Sequence, residues 1–147
     1  MKETESYKQI VGSKEYERTK EFMQHGQTSV YEHSISVCEV CFKIADKLHL
    51  KVNREALAKS ALLHDYFLYD WHDKDHPMLH GIRHPYIAAN NANRDFGITR
   101  KEARTIKCHM FPCGVRPPLS KESLILCIAD KYCAAKESTH RRKRASR

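Results

Sequence analysis

The sequence predicts an all-α fold, a compact bundle of about six to seven helices, and three observations carry that reading. Apolar residues recur at three-, four- and seven-residue intervals over most of the chain, the period of helices with one buried face. Residues suited to capping helix N-termini stand just before those periodic stretches. No stretch alternates apolar and polar residues for long enough to read as a strand, and there is no internal repeat.

The first helix is expected over residues 14–25. A long one follows from residue 30 to about residue 50, with Ser29 and Glu32 spaced as a capping box. Val30, Val37, Cys41, Ile44 and Leu48 form its inward stripe, and His33, four residues before Val37, shares that side. Asn53 suits the N-cap of the next helix, which carries Leu57, Ala61 and Leu62 and brings His64 and Asp65 to its C-terminal end. Adjacent residues on a helix diverge by about 100°, so this pair can serve one ion only near the point where the helix ends. Residues 66–83 lack a clean period; with Trp71, His72, Asp73, Asp75, His76, Pro77, His80 and Gly81 they read as a long loop lying over a site, as lids do.

Pro85 suits the first turn after His84, opening a helix over 86–96 that Gly97 ends. Thr99 and Glu102 make a second capping box before a helix over 101–110, which leaves His109 near its end. Residues 111–118, with Pro112, Pro117 and Pro118, form a loop. Ser120 then caps a last helix in which Leu124, Cys127, Ile128 and Cys133 face inward and Asp130 interrupts the apolar run. A carboxylate at that position needs a partner, because an unpaired buried charge is very costly; a metal ion or a neighbouring Lys or Arg would supply one.

The 147 residues suit one domain, placed over residues 1–138 with its ligand-bearing core at about 28–138. Five of the eight net positive charges fall in the last seven residues, so residues 139–147 are expected to be a basic, disordered tail. The tail has no interleaved aromatic residues, and specific nucleic-acid binding is not expected. No apolar run reaches the length of a membrane span and the N-terminus is too polar for a signal peptide, which predicts a cytoplasmic protein with no membrane partner. In that compartment the six cysteines read as thiols, with Cys38 and Cys41 as buried small hydrophobes.

Function is carried by six side chains: His33, His64, Asp65, His84, His109 and Asp130. Neutral imidazole and carboxylate bind borderline and hard divalent ions, and no thiolate is present to favour a closed structural zinc site. A carboxylate bridges two ions through its two oxygens. Asp65 could therefore join an ion held by His33, His64 and Asp130 to another held by His84 and His109. Two unsaturated ions about 3.5–4 Å apart acidify bound water and clamp the attacking and leaving oxygens of a displacement at phosphorus. His72, His76 and His80 offer a competing face at four-residue spacing, which Pro77 disfavours, and His80 is the substitute should His84 not be a ligand.

The order of these residues resembles the HD superfamily of metal-dependent phosphohydrolases, whose pattern is a His, a His-Asp pair and a distal Asp on separate helices. Here the pattern reads as His33 in Tyr-Glu-His-Ser-Ile-Ser-Val, the pair in Ala-Leu-Leu-His-Asp-Tyr and Asp130 in Ile-Ala-Asp-Lys-Tyr. His84 in His-Pro-Tyr-Ile-Ala-Ala and His109 in Ile-Lys-Cys-His-Met are similar to the extra histidines of the binuclear branch, which includes symmetrical diadenosine tetraphosphate hydrolases and cyclic-di-guanylate phosphodiesterases. Two departures stand out. After the pair comes the aromatic run Tyr66-Phe67-Leu68-Tyr69-Asp70-Trp71-His72 in place of a small or Gly-Lys segment, and the Gly-Tyr-Pro signature of the cyclic-di-guanylate enzymes is missing.

The resemblance implies an HD-type bundle and two divalent ions, iron or manganese first, with magnesium, zinc, cobalt and nickel as the other choices. It implies hydrolysis of a phosphate ester or anhydride, with a nucleotide or dinucleoside polyphosphate as the preferred substrate. Arg83, Arg116 and Lys131 are the cations expected beside it, and Tyr66, Phe67, Tyr69 and Trp71 are candidates for a nucleobase wall or for core packing. The competing readings are a di-iron oxygenase, since a minority of HD proteins activate dioxygen, and a nucleotide sensor without turnover.

Overall fold

Side chains at Ser29, Asn53, Thr99 and Ser120 start the main helices, each accepting a hydrogen bond from the backbone N–H three residues on. At Ser29 and Thr99 the capping box closes in both directions, through Glu32 and Glu102. The computed structural model describes residues 4–25, 27–70 and 80–146, the side chains of His25, His80, Arg141 and Arg144 excepted. Along them run α1 (Glu5–Val11), α2 (Lys14–Glu17), a 3-10 turn (Arg18–Glu21), β1 (Met23–His25), β2 (Thr28–Ser29), α3 (Val30–Lys47), α4 (Arg54–Leu63), α5 (His80–Phe96), α6 (Arg100–Lys107) and α7 (Lys121–Ala145). With seven α-helices and one two-stranded hairpin among the described residues, the fold is all-α.

Helix α3 is the centre, packed most extensively against α7 and α4. Its Val37, Cys38, Cys41 and Phe42 meet Leu57, Ala61 and Leu62 of α4 and Ile125, Leu126 and Ala129 of α7. Ala88, Ala89 and Ala92 give α5 a face without bulk on the same core. Cys38 and Cys41 are fully buried free thiols, as their apolar setting predicts, and burial pushes the Cys38 thiol up to about 12. Gly97 ends α5 at φ +60, a conformation only glycine adopts without cost, while its N–H donates to the carbonyl of Asn93. Among the described residues no helix is long and apolar enough to cross a membrane.

Three elements differ from the sequence reading. The helix expected over 14–25 breaks after one turn, because Tyr16 is buried with its hydroxyl on the carbonyl of Leu62 at 2.9 Å and the chain then turns into the β1–β2 hairpin. Long-range anchoring overrides local propensity there. Helix α5 begins at His80 and carries Pro85 inside it, where the missing N–H removes the one ladder bond that would reach Gly81. Its first residues belong to the expected 66–83 loop; residues 71–79 of that loop, with Trp71, His72 and His76, lie outside the described residues. Finally, α7 continues through the basic segment to Ala145, so the tail expected to be disordered from 139 is helical as far as that residue. Arg, Lys and Ala are strong helix formers, and nothing in the segment breaks the helix.

The inward face of α7 is also corrected. Leu124 and Ile128 are 50% and 51% exposed, whereas Ile125, Leu126 and Ala129 are buried with Cys127 and Cys133. Truncating the fully buried Leu62 to Ala is therefore expected to cost about 2–5 kcal/mol, and truncating Leu124 less than about 1 kcal/mol. Urea unfolding of the two variants checks this; equal losses would mean α7 is rotated from the packing described.

Candidate metal centre

Five helices bring the six predicted residues to one place. His33 lies in the first turn of α3 and Asp130 midway along α7. His84 lies within α5, and His109 two residues beyond the end of α6. His64 is the residue that closes α4, and Asp65 follows it. That placement lets both members of the pair point one way despite their angular divergence, because the chain leaves the helix between them. Past the pair, Leu68 takes φ +57, a left-handed conformation that costs a non-glycine residue about 1 kcal/mol or more. Asn91 of α5 pins this turn by donating from Nδ2 to the carbonyls of Tyr66 and Phe67, both at 3.1 Å.

Asp65 stands between two sets of imidazoles. Its Oδ2 lies 3.1 Å from His64 Nε2 and 3.5 Å from His33 Nε2, and its Oδ1 lies 3.2 Å from His84 Nε2 and 3.4 Å from His109 Nε2. Asp130 Oδ1 closes the first set at 2.9 Å from His33 Nε2 and 3.3 Å from His64 Nε2. The ligand atoms of His33, His64, Asp65 and Asp130 fall within 4.8 Å of one another, and so do those of Asp65, His84 and His109. Either set could hold a metal ion.

The opposite ring nitrogens explain why Nε2 points inward. Nδ1 of His64 donates to the carbonyl of Ala61 at 2.6 Å, Nδ1 of His109 to that of Ile106 at 2.7 Å, and Nδ1 of His33 to the carboxylate of Glu137 at 3.0 Å. Each of these bonds fixes the tautomer and leaves the Nε2 lone pair for a cation. Two features of the second set ask for one. His84 Nε2 and His109 Nε2 are 3.1 Å apart, and Asp65 Oδ1, fully buried, has close neighbours but no hydrogen-bond partner among the described residues. A buried carboxylate oxygen left so is costly, and a cation shared with the two imidazoles satisfies it. The residues present fit a pair of divalent ions.

Among known protein families, residues 30–135 match the HD domain. The chain belongs to the HD domain family. No curated protein and no solved structure matches it. The HD fold and the two His/Asp clusters together fit a metal-dependent phosphohydrolase.

Electrostatics in the HD centre favour positive charge. Burial opposes a charged His33 ring, yet its hydrogen bonds to Asp130 and Glu137 raise it to about 9. His64 is raised too, against burial, by the charge of Asp65. Burial would lift both carboxyls; the charge of His64 holds Asp65 well below the usual range, and the hydrogen bonds from His33 and His64 do the same for Asp130. Burial pushes His109 down. Among the described residues the partners of Asp130 are imidazoles, not the Lys or Arg that a plain salt bridge would need.

The other predicted residues are less convergent. Lys131 lines the cavity above the centre and donates from Nζ to the carbonyl of His109 at 3.1 Å. Arg83 and Arg116 are exposed, and the Arg116 guanidinium lies 5.8 Å from the Tyr86 ring. Tyr66 belongs to the core, stacked on Tyr16 with its hydroxyl donating to Asp95 at 2.7 Å, so it forms no wall. Phe67 packs its ring 5.8 Å from His84 and 4.9 Å from the ring of Tyr69. The HD centre also contains two residues that the sequence reading missed. Glu137 stands seven residues after Asp130 on α7, a spacing that keeps it on the same face and could have revealed it. Gln24 donates from Nε2 to Asp65 Oδ2 at 2.7 Å, and it sits in the hairpin where a helix was expected.

Asp65→Ala is expected to abolish binding at both sets, and His84→Ala or His109→Ala to weaken the second set alone, by titration calorimetry and elemental analysis. Unchanged metal content in these variants would refute the grouping. Glu137→Gln is expected to weaken binding about 10- to 100-fold at the first set, through the orientation of His33.

Proposed function

We propose that this HD domain hydrolyses a phosphate ester or anhydride of a nucleotide or dinucleoside polyphosphate, with two divalent ions, iron or manganese, held by His33, His64, Asp65, His84, His109 and Asp130. The observation that carries the reading is the division of Asp65, one oxygen to each imidazole set, beneath a cavity of about 440 Å³. That volume lies in the usual range of small-molecule sites. Ions bound there would supply acidified water and neutralise charge on the phosphoryl oxygens.

The chain's own residues do the rest. Asp65 ties the two sets at one spacing, and the Nδ1 bonds of His33, His64 and His109 hold the rings still. Lys131, anchored on the carbonyl of His109, brings a positive charge to the cavity wall where a phosphate would lie. Arg83, one residue before His84, and Arg116, in the loop after His109, would draw phosphates extending beyond the cavity. Met110 and Ala134 give the described wall an apolar side suited to a nucleoside.

The test is elemental analysis of the purified protein beside phosphate release from a panel of nucleotides and dinucleoside polyphosphates, with iron, manganese or magnesium supplied. Two ions with release support the proposal. Two irons with oxygen consumption and no release would replace it with an oxygenase, and tight nucleotide binding without turnover would replace it with a sensor. A protein that takes up no metal refutes it.

A further inference from the structure

Gln24 is 7% exposed, lines the cavity over the metal centre, and reaches it from β1, outside the HD helices. The hairpin register is irregular between Met23 and His25, so Gln24 sits at a bulge, a feature that re-aims a side chain. Its neighbour Asp65 is a charged carboxylate that only accepts, so the amide nitrogen must face Asp65 and the carbonyl oxygen must face away. That oxygen, Oε1, is buried and has no hydrogen-bond partner among the described residues. A buried amide oxygen without a donor is costly, and native proteins place few of them. The bulge and the bond to Asp65 together hold it there. A small donor entering from the cavity that Gln24 lines would supply the missing partner.

We propose that Gln24 orients the attacking water, with Nε2 fixed on Asp65 Oδ2 and Oε1 accepting a hydrogen bond from the water's O–H. This rests on the hydrolytic reading above. Holding one O–H of the water turns a lone pair on its oxygen towards the phosphorus, and the amide neither gains nor loses a proton. A larger donor, such as a substrate hydroxyl, would instead make Gln24 a binding residue, and the two roles separate in kinetics.

The experiment compares the parent with Gln24→Met, which keeps the length of the side chain without its polar atoms. Gln24→Ala serves as a second variant should Met disturb the hairpin, and circular dichroism and thermal melting check the fold of each. Metal stoichiometry and the affinity of the loaded protein for inorganic phosphate are read by calorimetry, and kcat and KM on the best substrate of the panel. The expected result is two ions retained, phosphate affinity unchanged, KM unchanged, and kcat lowered about 10²- to 10³-fold. A variant whose kcat stays within about twofold of the parent overturns the role, as does a loss confined to KM or to phosphate affinity, which would make Gln24 a substrate contact. A variant that no longer holds two ions also overturns it, in favour of support for Asp65 alone. A parent that holds two ions and releases no phosphate overturns the hydrolytic reading, and this role with it.

Discussion

The structure is organised around one buried carboxylate. Asp65 is 1% exposed, and the fold must answer its charge from within. Four imidazoles do so, one from the start of α3, one from the end of α4, one from within α5 and one from just past α6. An isolated ion at this depth would be prohibitively costly, so each of these helices is constrained in both position and rotation. The apolar core below sets the same constraints. Helix α3 cannot turn without withdrawing His33, and it cannot turn without unpacking Val37, Cys41 and Phe42 either.

The polar centre occupies the end of the bundle where α3, α4 and α7 would otherwise pack on apolar side chains. Asp65, Asp130 and Glu137 meet no Lys or Arg side-chain nitrogen among the described residues, and every charge partner they have is an imidazole. Without ions, the raised His33 and His64 provide the compensating charge as protons. Proton and metal then compete for the same Nε2 lone pairs, and binding free energy becomes folding free energy because the unfolded chain has no such cluster. The centre is both the candidate site and a joint of the fold.

Much of this was legible in the sequence, for identifiable reasons. The caps at Ser29, Asn53, Thr99 and Ser120 are local signals, and each starts a helix where expected. The six clustered residues were also legible, since His and Asp at inward helical positions need partners and the intervals allow them to meet. What failed depended on distant contacts. Tyr16 is held by a carbonyl 46 residues away, which ends the first helical stretch and makes room for the hairpin. Leu124 and Ile128 looked buried because they are apolar, but they lie on the face of α7 turned away from Asp130 and its core neighbours.

The hairpin shows how far that limit reaches. Periodicity finds helices with a buried face, and β1 and β2 are too short to carry any period at all. Yet this element delivers Gln24 to Asp65, across 41 residues of sequence, and it packs on α3 and α7 beside the centre. Val30 fixes its exit by donating to the carbonyl of Phe22 at 2.8 Å, and the capping box at Ser29 fixes where α3, and with it His33, begins. The short strands and the first ligand are thus held by the same few bonds. A change that loosens the hairpin therefore moves two parts of the centre at once, the amide of Gln24 and the imidazole of His33, which both meet Oδ2 of Asp65.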